Sequence, residues 1–478
     1  MHEFFEMLAR RATAAPDLPA VVAPAVTLSY AQLVSRVRAV AAAARALPQR
    51  VGLLVGAAAD GIIADLALSF AGKEIVPLPS FFSDAQVGHV VRACGLSHLV
   101  TDAMSAERAR GWGLTVTRLA AAADIGGAPA AEARRIIFTS GSTGCPKGVR
   151  LSSRQVLASV AAQAAATAAT ASDRYLSLLP NALLLEQIAG LYLPLSVGAS
   201  IHVVAPAALR DSIARAVEQA EATATVLVPE LLEAWVSELE QAGRCAPPSL
   251  RFVAAGGAPV SRELASAAWR LGIPVHEGYG LSECCSVVAV NRVGDRGAGT
   301  VGRPLDGIGV SIRDGEIVVS GPTIMDGYLA EADVSGAWST GDLGRVDADG
   351  WLVVTGRKDN LIVTGAGRNV SPEWIENHVA APRALRRCVV VEHRGDLVAV
   401  VTPLNDATDA RPCVADLLAR ATLGLPDYAK PRRCLVLTEQ ELFTPNGRPR
   451  RAAIRDFAAA RRASLRDVNF EETIDVEF

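Results

Sequence analysis

Lysine is almost missing from this chain: only Lys73, Lys147, Lys358 and Lys430 occur among 47 lysines and arginines in 478 residues. Arginine is a planar fork, whereas lysine is a small charge on a flexible stem. A lysine kept in so arginine-rich a chain points to a place where that point charge matters. A basic surplus is absent too, with a net charge of −3, which removes the electrostatic footprint of a nucleic-acid binder. No apolar run is long enough to span a membrane; the stretch 182–197 is broken by Glu186 and Gln187. The N-terminal MHEFFEMLARR is charged and amphipathic, without the apolar core of a signal peptide. Eight cysteines without regular spacing exclude a disulfide framework, and no Cys/His set has zinc spacing. These absences read as a cytoplasmic protein. Half of the residues are hydrophobic and 20% are charged, which fits a globular chain of two or three domains.

The densest chemistry present is IIFTSGSTGCPKGV, residues 136–149. An apolar strand opens into hydroxyls and glycines and ends at Lys147. Backbone N–H groups freed by Gly141, Gly144 and Gly148 can converge on phosphate oxygens, with Thr139, Ser140, Ser142 and Thr143 adding hydroxyl donors. Pro146 before the lysine and Gly148 after it exclude the common G-x-x-x-x-G-K-[ST] loop. Val149-Arg150-Leu151 reads as a returning strand, with Ser152 or Ser153 capping the alanine-rich helix that follows. The loop therefore joins a hairpin. Taken alone, such a cluster also fits a plain surface loop.

Strands and helices alternate through the first 350 residues. Strands are expected at Val51–Val55, His98–Val100, Ser200–Val204, Ala224–Val228 and Leu250–Ala254, and helices at 155–171 and 209–221. That alternation predicts α/β layers with largely parallel sheets. From about residue 296 short β runs follow, at Val310–Ile312, Glu316–Ser320 and Trp351–Val354. The charged turn GRKDN (356–360) marks a boundary. The fold expected is α/β, a large N-terminal domain of layered sheets and helices (1–358) with a small mobile α+β C-terminal domain (359–478). The acidic tail EETIDVEF would add an edge strand or cover a partner surface.

Glu277-Gly278-Tyr279-Gly280-Leu281-Ser282-Glu283 joins a glycine-rich turn to a ring and a carboxylate. Tyr279 can stack on a purine, and the hard oxygen of Glu283 suits Mg²⁺. Ser339-Thr340-Gly341-Asp342 and Gly356-Arg357-Lys358-Asp359 follow, with Asp342 able to accept from ribose hydroxyls. In this order the motifs resemble the adenylate-forming superfamily of acyl-CoA synthetases, peptide-synthetase adenylation domains and luciferases. The resemblance runs from LSYAQL (28–33) and FAGKEIVPL (70–78) through VAAGGAPV (253–260) and EGYGLSE (277–283). It continues through residues 339–376, LPDYAKP (425–431) and TPNGRPRR (444–451). GRNVSPEWIE and LLPNALLLEQ (178–187) look closest to acyl-CoA synthetases.

The resemblance implies two steps. A carboxylate attacks the α-phosphorus of ATP, giving an acyl-adenylate and pyrophosphate; a nucleophile, often the thiol of CoA, then displaces AMP. By the same resemblance Lys147 serves the triphosphate within the loop Thr139–Gly144, and Thr139 and Glu283 position Mg²⁺. Ser282 touches the α-phosphate. Gly257-Ala258-Pro259 and Tyr279 border adenine, Glu277, Gly278 and Gly280 also belong to the cofactor site, and Asp342 and Arg357 grip ribose. Asp359 matches the hinge, and Gly365 and Gly367 line the thiol's approach. Other acceptors stay open: a carrier-protein phosphopantetheine, an amine or an internal nucleophile. So do nitrite as the activated acid and a nucleotide-binding homologue without catalysis.

One departure touches catalysis: the family's C-terminal lysine falls at Arg448. Arginine keeps the charge and changes its geometry, so either general lysine-to-arginine drift or altered chemistry accounts for it. Two further departures are Val363, where a lysine is common, and Leu183, where relatives often carry histidine. A Leu183-Leu184-Leu185 wall fits an aliphatic or aromatic acid, or else ordinary helix core.

Overall fold

The computed structural model describes every residue except 57, 103–104, 119–126, 140–145, 365–367, 380–384, 404–410, 438–441, 444–448, 462–463 and 469–478. Apolar β-branched runs form the centres of two large sheets. In the nine-stranded sheet Arg174–Ser177, Ala224–Leu227, Phe252–Ala255 and Val275–Leu281 lie side by side in parallel. The antiparallel strands Ser286–Val290 and Arg303–Pro304 extend one edge. The seven-stranded sheet holds the parallel strands Arg50–Leu54, Glu74–Pro77, His98–Thr101 and Thr115–Thr117. Beside them runs the hairpin Arg134–Thr139/Lys147–Ser152. The strands expected from the sequence therefore form, within three residues of the expected bounds.

One apolar core binds both sheets together. It joins Ile137, Val149 and Leu151 to Val21, Ile201 and Val226 through helix residues such as Ile62, Val156 and Val160. Helices Pro229–Ala242 and Arg262–Arg270 cover the other face of the nine-stranded sheet, and Asp84–Cys94 covers that of the second. Inside the shared core Arg135, only 3% exposed, donates to both Asp65 oxygens at 2.8 and 2.5 Å and to Gln187 Oε1 at 3.0 Å. A buried charge without such partners would carry a large desolvation penalty. This pairing ties the strand that leads into the phosphate loop to the segment at Gln187.

Two expected helices are shorter than the alanine content suggests. The first, Ser153–Ala166, starts where Ser152 N–H donates to Gln155 Oε1 at 2.8 Å. It stops five residues before 171, because Thr167 turns its hydroxyl back to the Gln163 carbonyl and Ala168 takes a left-handed φ of 48°. The second splits into Pro206–Asp211 and Ile213–Gln219 at Ser212, whose hydroxyl accepts from Arg215 N–H at 2.9 Å.

Beyond the large sheets, Gly309–Arg313, Glu316–Ser320, Ala337–Val346 and Leu352–Arg357 form an antiparallel four-stranded sheet. A second four-stranded sheet, Leu385–His393, Asp396–Pro403, Arg433–Val436 and Arg466–Asp467, packs with helices Pro372–Val379, Arg411–Ala421 and Arg451–Ala460. Its two apolar clusters draw only on residues from Ile362 onward. The proposed edge strand in EETIDVEF lies outside the described residues. No described helix is long and apolar enough to cross a membrane.

Candidate active site

Three sheets meet around the expected nucleotide residues. Thr139 and Lys147 are directly paired across the hairpin, so the loop between them is closed at its base by strand hydrogen bonds. Ser140, Gly141, Ser142, Thr143 and Gly144 lie outside the described residues, as do Gly365, Gly367 and Arg448. Exposed Lys147 places its ammonium 4.8 Å from the centre of the Tyr328 ring. Tyr328 belongs to the short strand Gly327–Tyr328, which pairs with the hairpin at Val149. Its hydroxyl donates to Glu283 Oε1 at 2.7 Å. Burial, and then the Glu283 carboxylate, push the phenol's pKa upward, so it remains a donor. Lys147 and Glu283, from different sheets, are thus joined by one tyrosine, whose ring Trp338 meets edge-on at 5.9 Å.

Glu283 sits in the single turn Ser282–Cys284, between Val275–Leu281 and Ser286–Val290. That sharp return needs Gly280, where an added Cβ would lie 1.8 Å from the Ser286 carbonyl oxygen. On the same strand Tyr279 donates to Asp342 Oδ2 at 2.6 Å. The other Asp342 oxygen lies 3.3 Å from Arg357 Nη1, and the two residues face each other across neighbouring strands. The residues assigned to adenine and ribose therefore form a contiguous row. Gly257, Ala258 and Pro259 follow strand Phe252–Ala255, and Val260 N–H just beyond them donates to Glu277 Oε1 at 3.1 Å. Burial lifts the Glu277 carboxyl to about 8, so it is protonated at neutral pH. Gly278 runs beside Val290 in the ladder.

The scarce lysines serve different ends. Lys358 and Lys430 pair with Glu316 and Asp427. Lys73 is buried and donates to the Arg45 and Leu47 carbonyls. Of the four, Lys147 lies over the Tyr328 ring, so scarcity alone does not mark a functional lysine.

Tyr328 carries no local motif, because its hydroxyl's partner lies 45 residues away. If Tyr328 orients Glu283, removing only its hydroxyl in Tyr328→Phe removes a hydrogen bond to a charged group. Such bonds are worth about 1.5–3 kcal/mol. Acid-dependent pyrophosphate exchange is then expected to fall roughly 10–100-fold, with a raised Mg²⁺ requirement. Tyr328→Leu, which also strips the ring from Lys147, is expected to fall further. Equal rates in wild type and Tyr328→Phe would remove the hydroxyl from the site.

Glu186 is a second residue that sequence reasoning passed over. It is 1% exposed and accepts from Tyr175 at 2.8 Å and Ser177 at 2.6 Å. The chain widens here into the π-helical turn Gln187–Tyr192, a form that often marks functional sites. Gly190 makes room, since a Cβ there would lie 2.4 Å from Glu186 Oε1. Burial lifts this carboxyl from 4.5 to about 7. The stability it contributes is present below pH 4.5 and is lost as pH rises through 7. Glu186→Gln is therefore expected to match the wild type's unfolding free energy near pH 5 and to exceed it at pH 8, by on the order of a few kcal/mol. Parallel melting curves at both pH values would contradict that. Of the expected leucine wall, Leu184 is core, while Leu185 lines a cavity beside the same turn.

Comparison with known proteins now places the chain. The family described as AMP-binding enzyme matches residues 8–329, about two thirds of the sequence, and the chain belongs to it. A putative fatty-acid–CoA ligase of Mycobacterium tuberculosis is 31% identical over 307 residues, which cover 52% of this chain and 53% of that protein. Indoleacetate–CoA ligase of Aromatoleum aromaticum is 33% identical over 301 residues, 57% and 58% of the two chains. This chain thus spans little more than half the length of these relatives. Among solved structures, the O-succinylbenzoate coenzyme A synthetase of Bacillus subtilis in complex with AMP superposes with a TM-score of 0.82 at 25% identity. That match covers 94% of this chain and 98% of that one.

Proposed function

We propose that this protein is an acid–CoA ligase that activates a carboxylic acid with ATP, releases pyrophosphate, and passes the acyl group from the adenylate to the thiol of CoA. The observation that carries this reading is the convergence of Lys147, Tyr328 and Glu283 with the row Tyr279–Asp342–Arg357 at the margin of three sheets. Lys147 supplies positive charge where the triphosphate lies, and with the loop amides it stabilises charge that grows on the departing pyrophosphate. Tyr279 and the turn Gly257–Pro259 hold the base, while Asp342 and Arg357 hold the ribose. No described hydrogen bond reaches Glu283 Oε2, and the described residues hold no cluster of three metal-ligating side chains. A single hard carboxylate suits Mg²⁺ shared with substrate phosphates. Glu283, with Thr139, would hold that ion, which supplies charge neutralisation on the phosphates.

Residues 1–358 would bind nucleotide and acid, and 359–478 would swing near Asp359 between the half-reactions. The apolar clusters confined to residues from Ile362 onward support a lid that packs on its own. Cys94, Cys245, Cys284, Cys285, Cys388 and Cys434 are free thiols, which supports a cytoplasmic setting. AMP release that requires both an acid and CoA tests the proposal. A phosphopantetheine acceptor is the second reading. It rests on a phosphinothricin tripeptide synthetase of Streptomyces viridochromogenes, 30% identical over 95% of this chain and 45% of that protein. Turnover with a loaded carrier protein and none with CoA would select it.

A further inference from the structure

Beside the nucleotide residues lies a cavity lined mostly by apolar side chains. It is bounded by the nine-stranded sheet, helix Ser153–Ala166 and the π-helical turn. Its direction follows from the strands. Arg174–Ser177, Ala224–Leu227 and Phe252–Ala255 are parallel and end towards the Gly256–Gly257 turn. Val226, Ala254 and Leu185 therefore line the end nearer the nucleotide residues, and Asp173, Arg251 and Thr167 line the opposite end. Small side chains at Ala224, Ala254 and Ala189 leave the volume between them open.

The far end is polar, and its two charges pair with each other. Arg251 donates from Nε to Asp173 Oδ1 at 2.6 Å, from Nη2 to Asp173 Oδ2, and from Nη1 to the Thr167 carbonyl at 2.6 Å. Asp173 also accepts from Thr170 N–H and the Thr223 hydroxyl, each at 2.8 Å. The Arg251 charge is already matched by the Asp173 carboxylate, so a second carboxylate arriving there would meet no net positive charge and would lie beside a like charge. The five residue steps from Gly256 back to Arg251 cover about 16 Å at ~3.3 Å each. An extended alkyl chain advances about 1.3 Å per C–C bond, so that distance takes roughly twelve carbons.

We propose that the Asp173–Arg251 pair is the far wall of the acid's pocket. It restricts the substrate to monocarboxylic acids with an uncharged apolar tail of about twelve carbons or fewer. The inference rests on the ligase reading and adds a length limit and a charge rule to it. Up to the wall each added methylene gains hydrophobic burial and should raise kcat/KM about fourfold. Beyond it the chain has nowhere straight to go.

The test is acid-dependent pyrophosphate release across saturated acids from hexanoate to hexadecanoate, with the α,ω-dicarboxylic acids of the same lengths. Expected are a maximum at ten to twelve carbons, at least a tenfold fall in kcat/KM at hexadecanoate, and at least a hundredfold penalty for each diacid. Ala224→Leu fills the end near the pair and should raise the hexanoate-to-dodecanoate ratio at least tenfold. A general loss of fold would leave that ratio where it was. Hexadecanoate used as well as dodecanoate, diacids used as well as monoacids, or an unchanged ratio in Ala224→Leu would overturn the wall. Pyrophosphate release with no acid at all would overturn the ligase reading, and the wall with it.

Discussion

Glu283→Gln is expected to lower acid-dependent ATP–pyrophosphate exchange about 10²–10³-fold, the usual cost of removing an electrostatic contact to the reacting phosphates. The carboxylate stands in a single turn held by Gly280, with one oxygen fixed by the Tyr328 hydroxyl. Glutamine keeps the size and can still accept from Tyr328. It removes the negative charge and leaves one oxygen instead of two, a poor exchange for a hard divalent cation. The fall should come with a higher Mg²⁺ requirement and an unshifted melting temperature. A rate like the wild type's, in a folded variant, would take Glu283 out of the reaction.

Arg448→Ala is expected to separate the two half-reactions. Adenylation should fall about 10²–10³-fold if the guanidinium bridges the acid and the nucleotide, while acyl transfer from a preformed adenylate should fall less than about tenfold. Arg448→Lys should raise the adenylation rate if drift alone put arginine here, since lysine and arginine differ in reach and in hydrogen-bonding geometry. Arg451, three residues on, donates to both Glu376 oxygens at 2.6 and 2.7 Å and to Glu373 at 3.1 Å. The start of helix Arg451–Ala460 is thereby anchored to helix Pro372–Val379. Equal losses in both half-reactions would contradict the assignment.

The features legible in the sequence are local ones. The hairpin at the phosphate loop, the cap at Ser152 and the parallel strands follow from apolar runs and turn residues within a few positions of each other. Helix ends in alanine-rich segments were not legible, because alanine carries no stop signal, and Thr167 and Ser212 ended them through side-chain hydrogen bonds. Long-range pairs were not legible either. Nothing near Tyr328 announces Glu283, and nothing near Asp173 announces Arg251, 78 residues away. Leu184 and Leu185 are adjacent and chemically alike, yet one packs in the core and the other faces the cavity.

The most direct test of the central claim is ATP–pyrophosphate exchange across fatty, aryl, amino and inorganic acids, nitrite included. Exchange is expected to depend on an apolar monocarboxylic acid and on Mg²⁺. Silence across the whole panel while ATP still binds would contradict it, and would leave a nucleotide-binding homologue whose arginine at 448 marks lost catalysis.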